Sequence, residues 1–149
     1  MGVILNIDTS SKFCSVSAAM HGEIIFGIES AEEMDHSKTL AQFVKKALSK
    51  LKEKGLKLDA VAVVQGPGSY TGLRIGLSLA KGLSFSMNIP LITLSSLEVL
   101  TVRAIFSYPE IEGDELIIPM LDAGRMEVYT GLYDCSLNKL IDEIENMLV

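Results

Sequence analysis

The amino-acid sequence predicts an α/β fold in which the element order βββαβαβα builds a five-stranded mixed sheet. Three short apolar runs, Val3 to Ile7, Ala60 to Val64 and Pro90 to Leu94, have the composition of buried strands. A segment with helical character follows the opening hairpin and each of the two later runs. Because strand–helix–strand crossovers are right-handed, we expect the second and third buried strands to lie beside the first.

A predicted antiparallel hairpin follows the first buried strand. Cys14 to Met20 alternates in the manner of a half-buried strand. His21-Gly22 then forms a two-residue turn, and Glu23 to Ile28 returns as the next strand. His21 is therefore expected to be an exposed turn residue.

The first predicted helix carries one apolar stripe. The residues of the stripe recur at steps of three and one; they are Leu40, Phe43, Val44, Ala47, Leu48 and Leu51. Four lysines lie off this stripe or at its edge, which is typical of a solvated face; they are Lys45, Lys46, Lys50 and Lys52. Gly55 is expected to end the helix, and His36 lies in its first turn as a solvated residue.

The second predicted helix, from about Leu73 to Phe85, is apolar around its whole circumference, so it must be covered on more than one side. Gly72, Gly76 and Ala80 form a row of small residues at i, i+4 and i+8, which allows another backbone to come close. The sheet can cover one side of the helix, and for the other side the residues leave two alternatives open, a neighbouring helix of this chain or another protein.

The rest of the chain begins with a capping box. Ser95 and Glu98 have the spacing of this motif, so a third helix is predicted from there to about Phe106. Glu115 to Leu121 and Glu127 to Tyr133 then predict a hairpin around the segment 122–125, with Gly124 as a left-handed turn residue. Residues 136–149 fit a helix by propensity, but they also fit a strand followed by a helix.

A glycine-rich turn joins the second buried strand to the second helix. Gly66 and Gly68 can adopt backbone angles that other residues avoid, and Ser69 or Thr71 can cap the helix. Such a turn suits an anion, although no Walker motif is present and the residues alone favour a tight turn with close packing. Asp8-Thr9-Ser10 ends the neighbouring parallel strand, so the best candidate pocket lies between these two segments.

Composition excludes several classes of protein. The formal net charge of −6 and the pI of about 4.9 argue against a dedicated nucleic-acid surface. Leu40 stands four residues after His36, so the two-histidine metal motif of a helix is absent. The two cysteines, both in apolar strand-like context, suggest a reducing compartment, and no secretion signal or membrane span is evident. We therefore expect a cytoplasmic protein without membrane association.

Five segments together resemble the TsaB family, also called YeaZ. They are Ile7-Asp8-Thr9-Ser10, His36-Ser37, Gly66 to Gly76, Ile89-Pro90-Leu91 and Asp122 to Tyr129. The resemblance covers essentially all 149 residues. It implies the actin-like ATPase fold of the sugar kinase and heat-shock protein superfamily. It also implies a role in forming N6-threonylcarbamoyladenosine at position 37 of tRNAs that read ANN codons.

The resemblance implies a non-catalytic partner and activator of TsaD, which carries the metal and the catalysis, alongside the ATPase TsaE. The tRNA would then be reached only indirectly, through the complex, and a homodimer is expected when the chain is isolated. Neither a catalytic residue nor a metal ligand is expected on this chain. Two alternatives are a nucleotide-binding enzyme of the same superfamily, such as a small kinase, and a metalloprotease-like protein.

Two sets of site residues follow. A vestigial nucleotide cleft is predicted at Asp8, Thr9, Ser10, Gly66, Gly68 and Ser69. ATP is expected to bind there weakly, or only at the interface of a complex, because Thr9 stands where the superfamily often has a glycine. A partner interface is predicted on the first two helices at His36, Leu40, Phe43, Ala47, Gly72, Leu73, Gly76, Leu77 and Ala80.

The resemblance also predicts the domain organisation. Family members are longer than this chain, so we expect it to be truncated. Residues 1–107 are expected to form an N-terminal actin-like domain. A linker-like break begins at Tyr108, and residues 108–149 are expected to be the start of an incomplete second actin-like domain.

Overall fold

The computed structural model describes residues 2–30, 36–111 and 113–148. The elements in chain order are β1 (Val3–Asp8), β2 (Ser15–Met20), β3 (Glu23–Glu29), α1 (His36–Glu53), β4 (Ala60–Gly66), α2 (Tyr70–Met87), β5 (Leu91–Ser95), α3 (Ser96–Ser107), β6 (Leu116–Ile117), β7 (Met120–Gly124), β8 (Glu127–Asp134) and β9 (Lys139–Leu148). The first eight elements confirm the predicted order βββαβαβα.

The chain divides into two compact units. One contains Met1–Gln65 and Ser69–Leu94, and the other contains Gly66–Gly68 and Ser95–Val149. We call them unit 1 and unit 2. This division by compactness places α3 with the later strands, whereas the sequence placed a domain boundary after residue 107. Compactness does not define a domain in the evolutionary sense, so that boundary stays a prediction.

The five-stranded sheet has the strand order β3-β2-β1-β4-β5. β2 is antiparallel to β1 and to β3, whereas β4 runs parallel to β1. The predicted mixed sheet is therefore confirmed. Its opening hairpin turns at His21 and Gly22, whose φ angles of 57° and 81° match the right-handed twist of the flanking strands. His21 is exposed, as predicted.

The core of unit 1 joins the sheet to the apolar stripe of α1. On β1 and β2 the buried side chains alternate along the strand, whereas Ala60 to Val64 on β4 are all buried, as expected for a strand that is covered on both faces. The stripe residues Leu40, Phe43 and Ala47 have 0%, 9% and 0% of their surface exposed. α1 ends as predicted, since Gly55 has a φ of 68°.

Unit 2 begins with α3, whose predicted capping box is confirmed. The backbone N–H of Leu97 donates to Ser95 Oγ at 3.1 Å, and the backbone N–H of Ser95 donates to Glu98 Oε2 at 3.3 Å. Both bonds satisfy N–H groups that a helix start leaves without partners. The helix therefore begins where the motif places it and ends at Ser107, close to the predicted Phe106.

The predicted hairpin of unit 2 is correct in outline but wrong in two details. The first strand is split into β6 and β7, and the turn lies at Arg125 and Met126, with Gly124 paired to Glu127. Arg125 and Met126 both have positive φ angles, 58° and 64°, so a two-residue turn forms without a glycine at its centre. Gly124 does have the predicted left-handed geometry, with a φ of 78°.

The sequence left residues 136–149 open between a helix and a strand followed by a helix, and the structure places a strand over most of this segment. Lys139–Leu148 forms β9, which is antiparallel to β8. Helix propensity is a local preference, whereas the edge of β8 offers a row of backbone partners that only the folded sheet supplies. Among the described residues, no helix is long and apolar enough to cross a membrane.

The two cysteines lie in different surroundings. Cys14 is 1% exposed, directly before β2, and burial raises the pKa of its thiol. Cys135 is partly exposed in the turn after β8 and is not in a strand, which corrects the strand-like context that the sequence suggested. Both thiols are free.

We expect a thiol reagent such as DTNB to label the native protein at Cys135 quickly and at Cys14 only on unfolding. Modification requires an accessible thiolate, and burial of Cys14 suppresses both access and ionisation. Absorbance kinetics with and without denaturant measure the two phases. The Cys135→Ser variant should lose the fast phase, and a fast phase that disappears in Cys14→Ser instead would contradict the described burial.

Candidate functional site

The loop after β1 forms its own hydrogen-bonded turn. Asp8 Oδ1 accepts from the backbone N–H of Ser10 at 2.9 Å and from Ser10 Oγ at 2.7 Å. Asp8 and Ser10 are half-buried. One carboxylate oxygen of the predicted nucleotide cleft is therefore already engaged within the chain, in the manner of an Asx-turn.

The start of α2 is attached to this loop. The backbone N–H of Ser69 donates to the carbonyl oxygen of Ser10 at 2.7 Å. Ser69 Oγ accepts from the backbone N–H of Gly72 at 3.3 Å, so Ser69 is the N-cap, one of the two predicted caps. Asp8, Ser10 and Ser69, which the sequence placed in one cleft, do lie together. Their polar groups bind one another or the start of α2.

The row of small residues on α2 faces Thr9. An added Cβ at Gly72 would overlap the carbonyl oxygen of Thr9, and an added Cβ at Gly76 would overlap Thr9 Oγ1. Gly72, Gly76 and Ala80 are all buried. The row is therefore covered by this chain itself, at the residue that follows β1.

Thr9 fills the space between β1 and α2. Its side chain is fully buried, and Oγ1 has no hydrogen-bond partner among the described residues. A buried hydroxyl without a partner costs about 1–3 kcal/mol. The sequence showed the threonine and the glycines but not that they touch, because they are more than 60 positions apart along the chain.

The predicted partner interface requires correction at six positions. Leu40, Phe43 and Ala47 belong to the core of unit 1, and the row Gly72, Gly76 and Ala80 is covered by this chain itself. Such residues cannot meet another protein unless unit 1 opens. Leu73 and Leu77 are half-buried, and the side chain of His36 lies outside the described residues.

The outward face of α2 was missed by the sequence analysis. Arg74, Ser78, Gly82 and Phe85 lie on the side of the helix opposite the buried row and are all exposed. Phe85 has 91% of its surface exposed, and an added Cβ at Gly82 would meet no atom within 4 Å. A spacing signal existed, since Ser78 and Gly82 are also four residues apart. This shorter pair resembles the buried row in spacing, so the spacing alone does not distinguish the two faces.

The remaining predicted site residues lie elsewhere. Gly66 and Gly68 have φ angles of 123° and 149° and belong to unit 2, so their role as ligands stays a prediction. Asp122 accepts from the backbone N–H of Gly124 at 2.7 Å and stabilises the β7–β8 turn. Within the described part of the chain, no cluster of three or more His, Cys, Asp or Glu residues could hold a metal ion.

The sheet order and the α2 turn define the class of the protein, an α/β domain of the actin-like ATPase type. Solved structures agree with this class. The ethanolamine utilization protein EutJ of Carboxydothermus hydrogenoformans is similar with a TM-score of 0.52 at 15% identity, over 98% of this chain and 53% of that one. At this low identity the likeness concerns the fold alone.

Closer similarities identify the family. The model for TsaD, described as tRNA N6-adenosine threonylcarbamoyltransferase, matches residues 29–149. YeaZ from Pseudomonas aeruginosa is similar with a TM-score of 0.81 at 29% identity, covering 98% of this chain and 68% of that one. The tRNA threonylcarbamoyladenosine biosynthesis protein TsaB of Bacillus subtilis (strain 168) is 36% identical over 141 residues, which are 95% of this chain and 58% of that protein. The chain belongs to the TsaD family, and within it to the TsaB (YeaZ) group.

This chain covers only part of the length of its relatives. The chain spans between 51% and 60% of the length of the first curated TsaB proteins that it matches. What those longer proteins do as a whole can therefore be carried to this chain only as a proposal.

We expect Gly76→Ala to destabilise the protein by about 1–3 kcal/mol, because the new methyl group would overlap Thr9 Oγ1. Urea unfolding followed by circular dichroism measures the change. In a Thr9→Ala background, which removes the overlapping atom, much of the loss should disappear. Additive effects of the two substitutions would contradict the contact.

The matched control is Gly82→Ala on the same helix. Space at Gly82 is open, so alanine should stabilise the helix by about 0.5–1 kcal/mol. Opposite signs at Gly76 and Gly82 would show that packing, and not helix propensity, decides the effect.

Proposed function

We propose that this chain is a non-catalytic partner of a TsaD-type enzyme in the formation of threonylcarbamoyladenosine in tRNA. The observation that carries the proposal is the family membership, together with the similarity of 95% of this chain to a TsaB protein named for threonylcarbamoyladenosine biosynthesis in tRNA. A cytoplasmic location accompanies this proposal. The tRNA is modified by a complex that also contains TsaE.

The geometry of the cleft supports a role without nucleotide chemistry. The side chain of Thr9 fills the space beside Gly76 of α2. Asp8 Oδ1 accepts a hydrogen bond from Ser10 Oγ. Ser69 uses its backbone N–H and its hydroxyl within the chain. A phosphate group at this point would have to displace these contacts, so binding there is weak.

The outward face of α2 supports a role as a binding partner. Phe85 is almost fully exposed, and Ser78 and Gly82 leave space in which another helix can approach closely. An exposed aromatic residue beside small residues is a suitable anchor for a protein interface. We place the TsaD contact on this face. A second copy of the chain is the alternative occupant when TsaD is absent.

We expect isothermal titration calorimetry with ATP and Mg²⁺ to show no low-micromolar binding to the chain alone. The reason is that the polar groups of Asp8, Ser10 and Ser69 already bind within the chain. Low-micromolar binding would favour the small-kinase alternative. Elemental analysis of the same sample tests the metalloprotease-like alternative, which about one zinc or iron atom per chain would favour.

Co-purification with TsaD from the same cell tests the partner role. The parent chain should capture TsaD, and Gly82→Glu should weaken the affinity by roughly tenfold or more, because it places a charge where the partner helix would approach. The variant should remain folded by circular dichroism, since space around Gly82 is open. In isolation it should elute as a monomer.

Gln42→Glu is the matched control, because it adds the same charge change at an exposed position of α1. Its capture of TsaD should equal that of the parent chain. If Gly82→Glu binds TsaD with unchanged affinity, the outward face of α2 is not the interface. If the parent chain itself fails to capture TsaD, the proposed function is wrong for this chain.

A further inference from the structure

The charge of this acidic chain is very unevenly distributed. Residues 36–57 contain seven of the 13 basic residues and one of the 19 acidic residues, so this segment has a formal charge of +6. The remainder, with six basic and 18 acidic residues, has a formal charge of −12. The net charge of −6, which argued against a nucleic-acid surface, therefore hides one strongly basic segment.

Three of these lysines form a line on α1. Lys38, Lys45 and Lys52 follow one another at intervals of seven residues, which places them on one side of the helix, opposite the buried Leu40 and Ala47. All three are exposed. Their Cα atoms are about 10 Å apart along the axis, so this lysine stripe spans about 21 Å.

The two other lysines of α1 each interact with a neighbouring side chain of the helix. Lys50 forms an ion pair with Glu53 at 2.7 Å, and Lys46 Nζ lies 5.9 Å from the ring centroid of Phe43. Among the described residues, no ion pair involves the stripe. Lys54 and Lys57 continue the exposed positive charge beyond the end of the helix.

The composition around the lysine stripe distinguishes between two kinds of partner. Its exposed neighbours are Ala41, Gln42 and Ser49, and the one large apolar side chain at its edge, Leu48, is half-buried. Protein interfaces are depleted in lysine and enriched in aromatic residues, methionine and arginine at their centres. Phosphate groups, in contrast, are bound well by lysine as a mobile point charge. The surface therefore fits a nucleic-acid backbone better than an acidic protein.

We propose that the lysine stripe of α1 binds the phosphodiester backbone of tRNA. This inference rests on the proposed function, from which the identity of the nucleic acid is taken. Binding through the backbone is electrostatic, so it depends strongly on salt and little on base sequence. The acidic remainder of the chain repels the same polyanion, so the tRNA is directed to α1 and away from the other surfaces.

A triple variant tests the inference. Lys38→Gln, Lys45→Gln and Lys52→Gln together remove the stripe and change the formal net charge from −6 to −9. The probe is an unmodified tRNA transcript carrying a fluorescent label, and anisotropy measures its binding between about 50 and 200 mM salt. The parent chain should bind with a steep dependence on salt. The triple variant should bind roughly tenfold more weakly, with a log–log salt slope smaller by about 3.

Two controls separate the stripe from general effects of charge. Lys81→Gln, Arg103→Gln and Arg125→Gln remove the same number of charges from exposed positions elsewhere and should leave most of the affinity intact. A Lys→Arg triple variant at the three stripe positions keeps the charge and should bind like the parent. Circular dichroism should be unchanged in all variants, because every substituted side chain is exposed.

The outcomes also separate this inference from the proposed function. A parent chain that captures TsaD but does not bind the transcript at about 50 mM salt overturns the lysine stripe and leaves the partner role in place. Equal tRNA affinities of the parent and the triple variant would also overturn the lysine stripe as the binding site and leave the partner role in place. If the triple variant binds tRNA like the parent but loses TsaD, the stripe serves an acidic protein surface and the RNA assignment is wrong.

Discussion

The packing of α2 against Thr9 is the constraint on which the arrangement of unit 1 depends. A side chain at Gly72 or Gly76 would overlap an atom of Thr9, so only glycine lets the first two turns of α2 reach the end of β1. The hydrogen bond from Ser69 to Ser10 holds the same two segments together at the start of the helix. Once this side of α2 faces the strand, the side that carries Phe85 must face outward.

The same contact decides what the cleft can do. In open α/β sheets, ligands bind at the carboxyl ends of the strands, which is where Asp8 and Thr9 lie. In this chain the place is occupied by a buried threonine and by a turn that uses the carboxylate of Asp8. The contact fixes the start of α2 against the end of β1, and it leaves the outer sides of α1 and α2 exposed.

Those two surfaces differ in chemistry. The outward face of α2 combines an exposed phenylalanine with small residues, whereas the exposed side of α1 carries lysines separated by small or polar residues. The first suits the close approach of another protein, and the second suits a polyanion. Each surface lies on its own helix, so the two proposed partners do not compete for the same residues.

The sequence by itself determined the features that depend on neighbouring residues. The apolar stripe of α1, the Ser95–Glu98 capping box, the His21-Gly22 turn and the order of the first eight elements follow from periodicity and turn chemistry, which act within a few residues. The resemblance of five sequence segments was sufficient to recognise the family. The residues of the cleft could also be named, because the two strand ends that carry them were recognisable.

Only the tertiary structure decided which surface each segment meets. The row of small residues on α2 fits a partner chain as well as it fits Thr9, because glycine permits close approach from any neighbour and does not specify which one. Lys139–Leu148 became a strand because the edge of β8 supplied hydrogen-bond partners that no local propensity records. The lysine stripe stands apart on α1 because the opposite side of the helix is buried, whereas composition alone reports only a net negative charge.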